Sequence, residues 1–126
     1  MDNTKFLTNY WQYLAEQNKD ALRGHFHPNA EIYLHDTNEK LTVEELINHD
    51  IEQDENWHTT VDRIDKLENG QFVTITFHRS KSWIGFITSF FTIKDDKIAE
   101  LHEYYSPCDE IPQWRTDLAE HEKIKP

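Results

Sequence analysis

The second half of the chain most constrains what it can fold into. From residue 57 onward, four segments alternate apolar and polar residues and are separated by short turns. WHTTVDRIDKLE (57–68) and QFVTITFHRSK (71–81) flank Asn69-Gly70, a dipeptide that closes tight hairpins. WIGFITSFFTIK (83–94) is the most apolar segment, and Asp95-Asp96 parts it from a last strand over 97–106. Consecutive hairpins predict an antiparallel meander. In the second segment Val73, Ile75 and Phe77 alternate with Thr74, Thr76 and His78. In the third, Phe86 and Phe90 lie on the face away from any covering helix, and an apolar outer face predicts burial by a second subunit.

The first half has the other period. Phe6, Leu7, Tyr10, Trp11 and Leu14 recur at three- and four-residue spacing, which predicts an amphipathic helix over 4–17 capped by Asn3 or Thr4. Asn18 reads as the cap of a second helix, DALRGHF, stopped by Pro28. AEIYLHD (30–36) alternates as a strand, TNEK is a loop, and Thr42 with Glu45 forms a capping box for a helix reaching Asp50. Helices first and strands after predict one α+β domain over 1–126, with three helices packed on one face of a curved antiparallel sheet.

Composition narrows the function. The formal net charge is −11, from 24 acidic and 13 basic residues, which argues against nucleic acid and anionic membranes as partners. No run approaches the roughly 20 apolar residues of a membrane span, and no signal peptide is visible, so a cytoplasmic protein is expected. A single cysteine, Cys108, allows no internal disulfide and fits a reducing compartment. No phosphate-cradling or nucleophile-elbow motif occurs, so no cofactor is expected. His25 and His27 form an HxH without a matching ligand cluster, and no metal site is expected. The acidic run DIEQDE (50–55) reads as a solvated loop or helix end.

The order NYWQYLAEQNKDALRGHFHPNAEIYLHDTNE, then TVEEL, then ITSFFTIKDDKIAELHEYY resembles the nuclear transport factor 2-like superfamily, and most closely its SnoaL-like branch of polyketide-cyclase and ketosteroid-isomerase relatives. The C-terminal PQWR is similar to small members of the same superfamily. The resemblance implies a cone-shaped fold with a pocket between helices and concave sheet, and a homodimer through the outer sheet face. It also implies that the last strand sends Leu101, Glu103 and Tyr105 into the pocket.

Glu103 is then the leading catalytic candidate, because burial among rings disfavours its charge and suits it to exchange a proton near neutral pH. The competing reading is a structural carboxylate paired with Arg115 or with Tyr and Trp donors. His35 and Asp36 follow Leu34, the position that best aligns with the isomerase base; His35 either shuttles protons or fixes the TNE loop. Tyr10 matches an isomerase tyrosine that donates to an oxyanion, or is simply a core residue. Ser89 falls where the isomerases place a protonated acid, so their mechanism does not carry over, and proton chemistry here would use Glu103 and His35. Of the large aromatics, Trp11, Trp57 and Trp114 are expected to line the cavity, Trp114 closing its mouth, while Trp83 serves cavity, core or interface. The expected function is cofactor-free acid/base catalysis on a small, largely apolar molecule, of isomerase, cyclase, dehydratase or hydrolase type. The alternative is a non-catalytic ligand-binding or dimerisation module of the same fold.

Overall fold

The computed structural model describes residues 2–51 and 57–117. Helix α1 (Asn3–Ala15) starts one residue earlier than the sequence predicts: the Asp2 carboxylate caps it, accepting from the amides of Thr4 (3.0 Å) and Lys5 (3.2 Å). Helix α2 (Lys19–Gly24) has the expected cap, with Asn18 Oδ1 accepting from the Ala21 amide at 3.2 Å. It ends before Phe26, which already belongs to strand β1 (Phe26–Leu34). Pro28 therefore does not stop a helix; it sits in an irregular stretch of β1, where a missing amide costs no ladder bond.

After a turn over 35–38 comes a short strand, β2 (Glu39–Leu41), antiparallel to β1, where a loop is expected. Asn38 takes a left-handed φ of 57° to close that turn. Helix α3 (Val43–Ile51) opens on the predicted capping box, with Glu45 N donating to Thr42 Oγ1 at 3.2 Å and Thr42 N to Glu45 Oε1 at 3.0 Å. The acidic run lies outside the described residues from 52 to 55.

Strands β3 (His58–Lys66), β4 (Phe72–Arg79), β5 (Ile84–Lys94) and β6 (Lys97–Pro107) form the predicted meander. Gly70 closes the first hairpin at φ 89°, and Asp95 and Asp96 turn the third at 50° and 62°. The six strands run β2-β1-β6-β5-β4-β3 in one curved, mostly antiparallel sheet. One pair departs from the expectation: β1 joins β6 in parallel. A one-turn helix, α4 (Gln113–Thr116), follows. The architecture is an α+β cone, with α1, α2 and α3 against the inner sheet face.

The inner face has two parts. Leu7, Tyr10 and Trp11 of α1, Leu22 of α2, and Leu46 and Ile47 of α3 are buried against the sheet. There they meet Phe26, Ile32, Leu34, Phe91, Ile98 and Leu101 in a continuous apolar core. Ile98, which simple alternation places on the outer face, is fully buried, because an irregularity opposite Thr92 and Ile93 shifts the phase of β6. The second part is polar: Thr74, Thr76, His78, Ser89 and Glu103 are all buried. The sheet register puts Thr74 beside Ser89 and Ser89 beside Glu103, a polar row across three strands. Val73, Ile75 and Phe77 accordingly face outward with Phe86, Phe90 and Tyr104.

Candidate functional site

Between α1, α3 and the inner face of β4–β6, beside the β4–β5 turn, lies a cleft of about 330 Å³. Its walls are largely aromatic: Trp11, Trp57, Trp83 and Tyr105. Ile87 adds an aliphatic patch, His49 and Ser82 complete the lining, and Glu103 and His78 bring the ionisable chemistry.

Each wall has a local cause. Trp11 belongs to the apolar stripe of α1, and its indole N–H donates to Thr74 Oγ1 at 3.2 Å, which fixes the ring over the sheet. Trp83 is turned inward by the β4–β5 connection, where Ser80 Oγ accepts from the amides of Ser82 (3.3 Å) and Trp83 (3.2 Å). The next strand residue but one is Gly85, and the space matters. A Cβ there would stand 2.6 Å from the Ser106 carbonyl oxygen and 2.7 Å from the Trp83 ring. The rings meet at steep angles: Trp57–Trp83 at 67°, Trp83–Tyr105 at 52° and Trp57–His78 at 83°, with centroids 6.0 to 6.3 Å apart.

Glu103 is 1% exposed. Ser89 donates to its Oε2 at 2.9 Å, and the Tyr105 hydroxyl lies 3.5 Å from Oε1. The other reading of the sequence pairs this carboxyl with Arg115. That residue is exposed, its guanidinium 5.2 Å from the Trp114 ring. His78 is buried and burial lowers its pKa to about 4, so it is neutral near pH 7. Both its nitrogens are engaged: Nδ1 is 3.0 Å from the Thr59 hydroxyl and Nε2 is 2.6 Å from that of Thr76. Thr76 itself donates to the Ile87 carbonyl at 3.3 Å, which fits the Nε2–H tautomer of the ring.

Of the residues singled out in the sequence, Glu103, Trp11, Trp57 and Tyr105 come together at this cleft. Ser89 stands behind it, bonded to Glu103. Leu34 and Leu101 are core residues beside it, and Tyr10 lies among Trp11, Phe26 and Phe91 in edge contacts rather than on the cleft wall. His35 is not brought to the cleft. Strand β1 ends at buried Leu34, so the next residue emerges on the outer face. There His35 stacks on Tyr104 at 4.4 Å and its Nε2 lies 2.8 Å from His102 Nδ1. Asp36 is exposed in the turn that follows, and Trp114, 63% exposed on α4, closes no mouth. His25 and His27 bond to backbone carbonyls of Ala21, Phe6 and Lys94, and among the described residues no three metal-ligating side chains converge.

The residues that sequence reasoning did not assign to the site are His78, His49, Ser82 and Ile87; Trp83, left open among cavity, core and interface, stands on the cleft wall. The alternation of Thr74, Thr76 and His78 is visible in the sequence; the face they occupy is set by their pairing with β5.

Helical cover, curved six-stranded sheet and an inner polar row define a cone fold of the nuclear transport factor 2-like, ketosteroid-isomerase-like kind, shared with SnoaL-like polyketide cyclases. No family model matches the sequence, and no curated protein does. Among solved structures, a candidate ketosteroid isomerase from Kribbella flavida superposes with TM-score 0.78 at 16% identity, over 96% of this chain and 90% of its own. A candidate SnoaL-like polyketide cyclase from Shewanella putrefaciens gives 0.70 at 10% identity, over 83% and 80%. A protein with the ketosteroid-isomerase-like fold from Catenulispora acidiphila, solved in complex with trimethylamine, gives 0.68 at 16% identity, over 80% and 85%. At these identities the likeness is one of fold. No helix among the described residues is long and apolar enough to cross a membrane.

Proposed function

We propose that the cleft binds a small molecule and that Glu103 acts on it as a general acid/base, with no cofactor, in a chemistry of the SnoaL-like type. The observation that carries this reading is the placement of Glu103: a carboxyl buried to 1% exposure, yet on the wall of an aromatic-lined cleft and held by Ser89 and Tyr105. A carboxyl so placed can exchange a proton with a ligand held against the rings of the cleft. Trp11, Trp57 and Tyr105 would hold the ligand; Ser89 would orient the carboxyl from behind. Tyr10, His35 and Asp36 take no part in this reading, and neither does Trp114. Bound trimethylamine in a neighbour of the same fold supports a ligand of small size.

We further propose that the protein is a cytoplasmic homodimer. Val73, Ile75, Phe77, Phe86 and Phe90 line the outer sheet face beside Tyr104, which is 44% exposed, and a second copy would cover them.

A test needs no knowledge of the natural substrate. 5-Nitrobenzisoxazole is a flat molecule opened by a single base, which takes the ring C–H proton as the N–O bond breaks and a phenolate leaves. The protein should open it with saturable kinetics, and Glu103→Gln should lower that rate by about 100-fold, the usual contribution of a general base. Equal rates for the wild type and a folded Glu103→Gln protein would overturn the assignment.

A further inference from the structure

We infer that Trp83 sets the length of the molecule this cleft accepts, by standing across the inner sheet face at the one position where β5 has no side chain. The inference rests on the cleft being a ligand site, as proposed above, and concerns which ligands fit it.

The strand register lays out the floor. Gly85, Ile87 and Ser89 of β5 face inward, beside His78, Thr76 and Thr74 of β4 in that order. On β6, Tyr105 lies beside Ile87 and Glu103 beside Ser89. The floor is thus a ladder whose rungs are two residues, or about 7 Å, apart. The core closes one end, because the rung after Glu103 is Phe72, Phe91 and Leu101, all buried. The other end runs over Gly85, about 13 Å along the strand from Ser89.

Trp83 closes that second end. Its ring carbons lie 2.7 Å from where a Cβ of residue 85 would stand, so the indole rests on bare backbone. It also meets both neighbouring walls, with centroids 6.1 Å from Trp57 and 6.0 Å from Tyr105. The turn fixes its backbone: the Ser80 amide donates to the Trp83 carbonyl at 2.8 Å, and Ser80 Oγ accepts from the Trp83 amide at 3.2 Å. With the Gly85 rung covered, roughly one and a half rungs remain from Glu103 to the indole, about 10 Å. That admits a flat molecule of two fused rings; a third ring in line meets the indole. The cleft volume of about 330 Å³, near the lower end of the ~300–1,000 Å³ range of ligand sites, agrees.

2-Naphthol and 6-phenyl-2-naphthol differ by one ring in line. The hydroxyl of each can donate to the Glu103 carboxyl or accept from it, so the comparison is the same for either protonation state. By isothermal titration calorimetry the full chain should bind 2-naphthol at least about tenfold more tightly, since the longer compound overpacks against a fixed ring. Trp83→Ala, with folding checked by circular dichroism, should weaken 2-naphthol, which loses a wall, and tighten 6-phenyl-2-naphthol, so that the preference disappears or reverses. Trp83→Phe should fall between, and it reads the same change if the alanine variant does not fold. A tryptophan that only supports the turn would weaken both compounds alike. That result, or equal binding of the two by the wild type, would overturn the length limit and leave the cleft a ligand site. Binding of neither by the wild type, while 5-nitrobenzisoxazole is still turned over, would do the same. Binding of neither, with no turnover, would bring down both readings.

Discussion

His78 is a buried base whose protonation should be felt as lost stability. Its pKa falls from 6.5 in the unfolded chain to about 4 in the fold, because burial penalises the imidazolium. Between these values the unfolded state takes up a proton that the native state refuses, so stability falls as pH drops through this window and levels off below about pH 4. Above pH 6.5 both states are neutral at this position and the effect vanishes. With about 1.36 kcal/mol per pK unit, the loss reaches about 2 kcal/mol at pH 5 and about 3 kcal/mol at pH 4. Other groups also contribute in acid. The Glu44 carboxylate, for example, is held below its usual range by hydrogen bonding to Arg23, and that stabilisation also goes as pH falls. Comparison with His78→Gln removes these shared effects, since glutamine keeps a donor and an acceptor but does not titrate. Urea unfolding at pH 7 and pH 5 should show the wild type losing about 2 kcal/mol more than the variant. Equal losses in the two proteins, or an imidazole resonance of His78 titrating near pH 6.5 by NMR, would refute the reasoning.

Two further perturbations probe the frame around the site. Gly85→Ala places a methyl 2.6 Å from a backbone oxygen and 2.7 Å from the Trp83 ring. It should cost about 1–3 kcal/mol in denaturant unfolding and shift the tryptophan emission as the ring moves; an unchanged midpoint and spectrum would show that Trp83 does not pack as described. Phe90→Glu puts a charge on the outer sheet face beside Tyr104. If the proposed interface is right, the wild type should sediment as a dimer and the variant as a monomer at the same concentration; a monomeric wild type or a dimeric variant would contradict it.

Local signals in the sequence carried the fold a long way. Thr42 with Glu45, Asn18, Asn69-Gly70 and Asp95-Asp96 each act within a few residues, and each appears in the structure as its chemistry predicts. Glu103 was also legible, because period-two alternation holds along β6 beyond Glu100. What escaped depends on distant pairing. The parallel contact of β1 with β6 joins residues about seventy positions apart, and no local pattern encodes it. The irregularity opposite Ile93 reverses the phase of β6 and buries Ile98. The face of β4 went unassigned for a related reason. Val73, Ile75 and Phe77 are its apolar set, yet the register with Ser89 and Ile87 turns Thr74, Thr76 and His78 inward. His35 shows how sharp the geometry is: one residue past the end of β1 is enough to carry a side chain from the cleft side to the outer face.

The cleft is proposed as the place where a ligand sits, and the four tryptophans of the chain offer a direct reading of that. With 5-fluorotryptophan incorporated, each indole gives its own ¹⁹F signal, assigned by single Trp→Phe variants. On titration of Glu103→Gln protein with 5-nitrobenzisoxazole, the signals of Trp11, Trp57 and Trp83 should move together with one saturating curve, while that of exposed Trp114 stays put. Saturable movement of Trp114 alone, or four signals indifferent to the compound, would contradict a ligand site in this cleft.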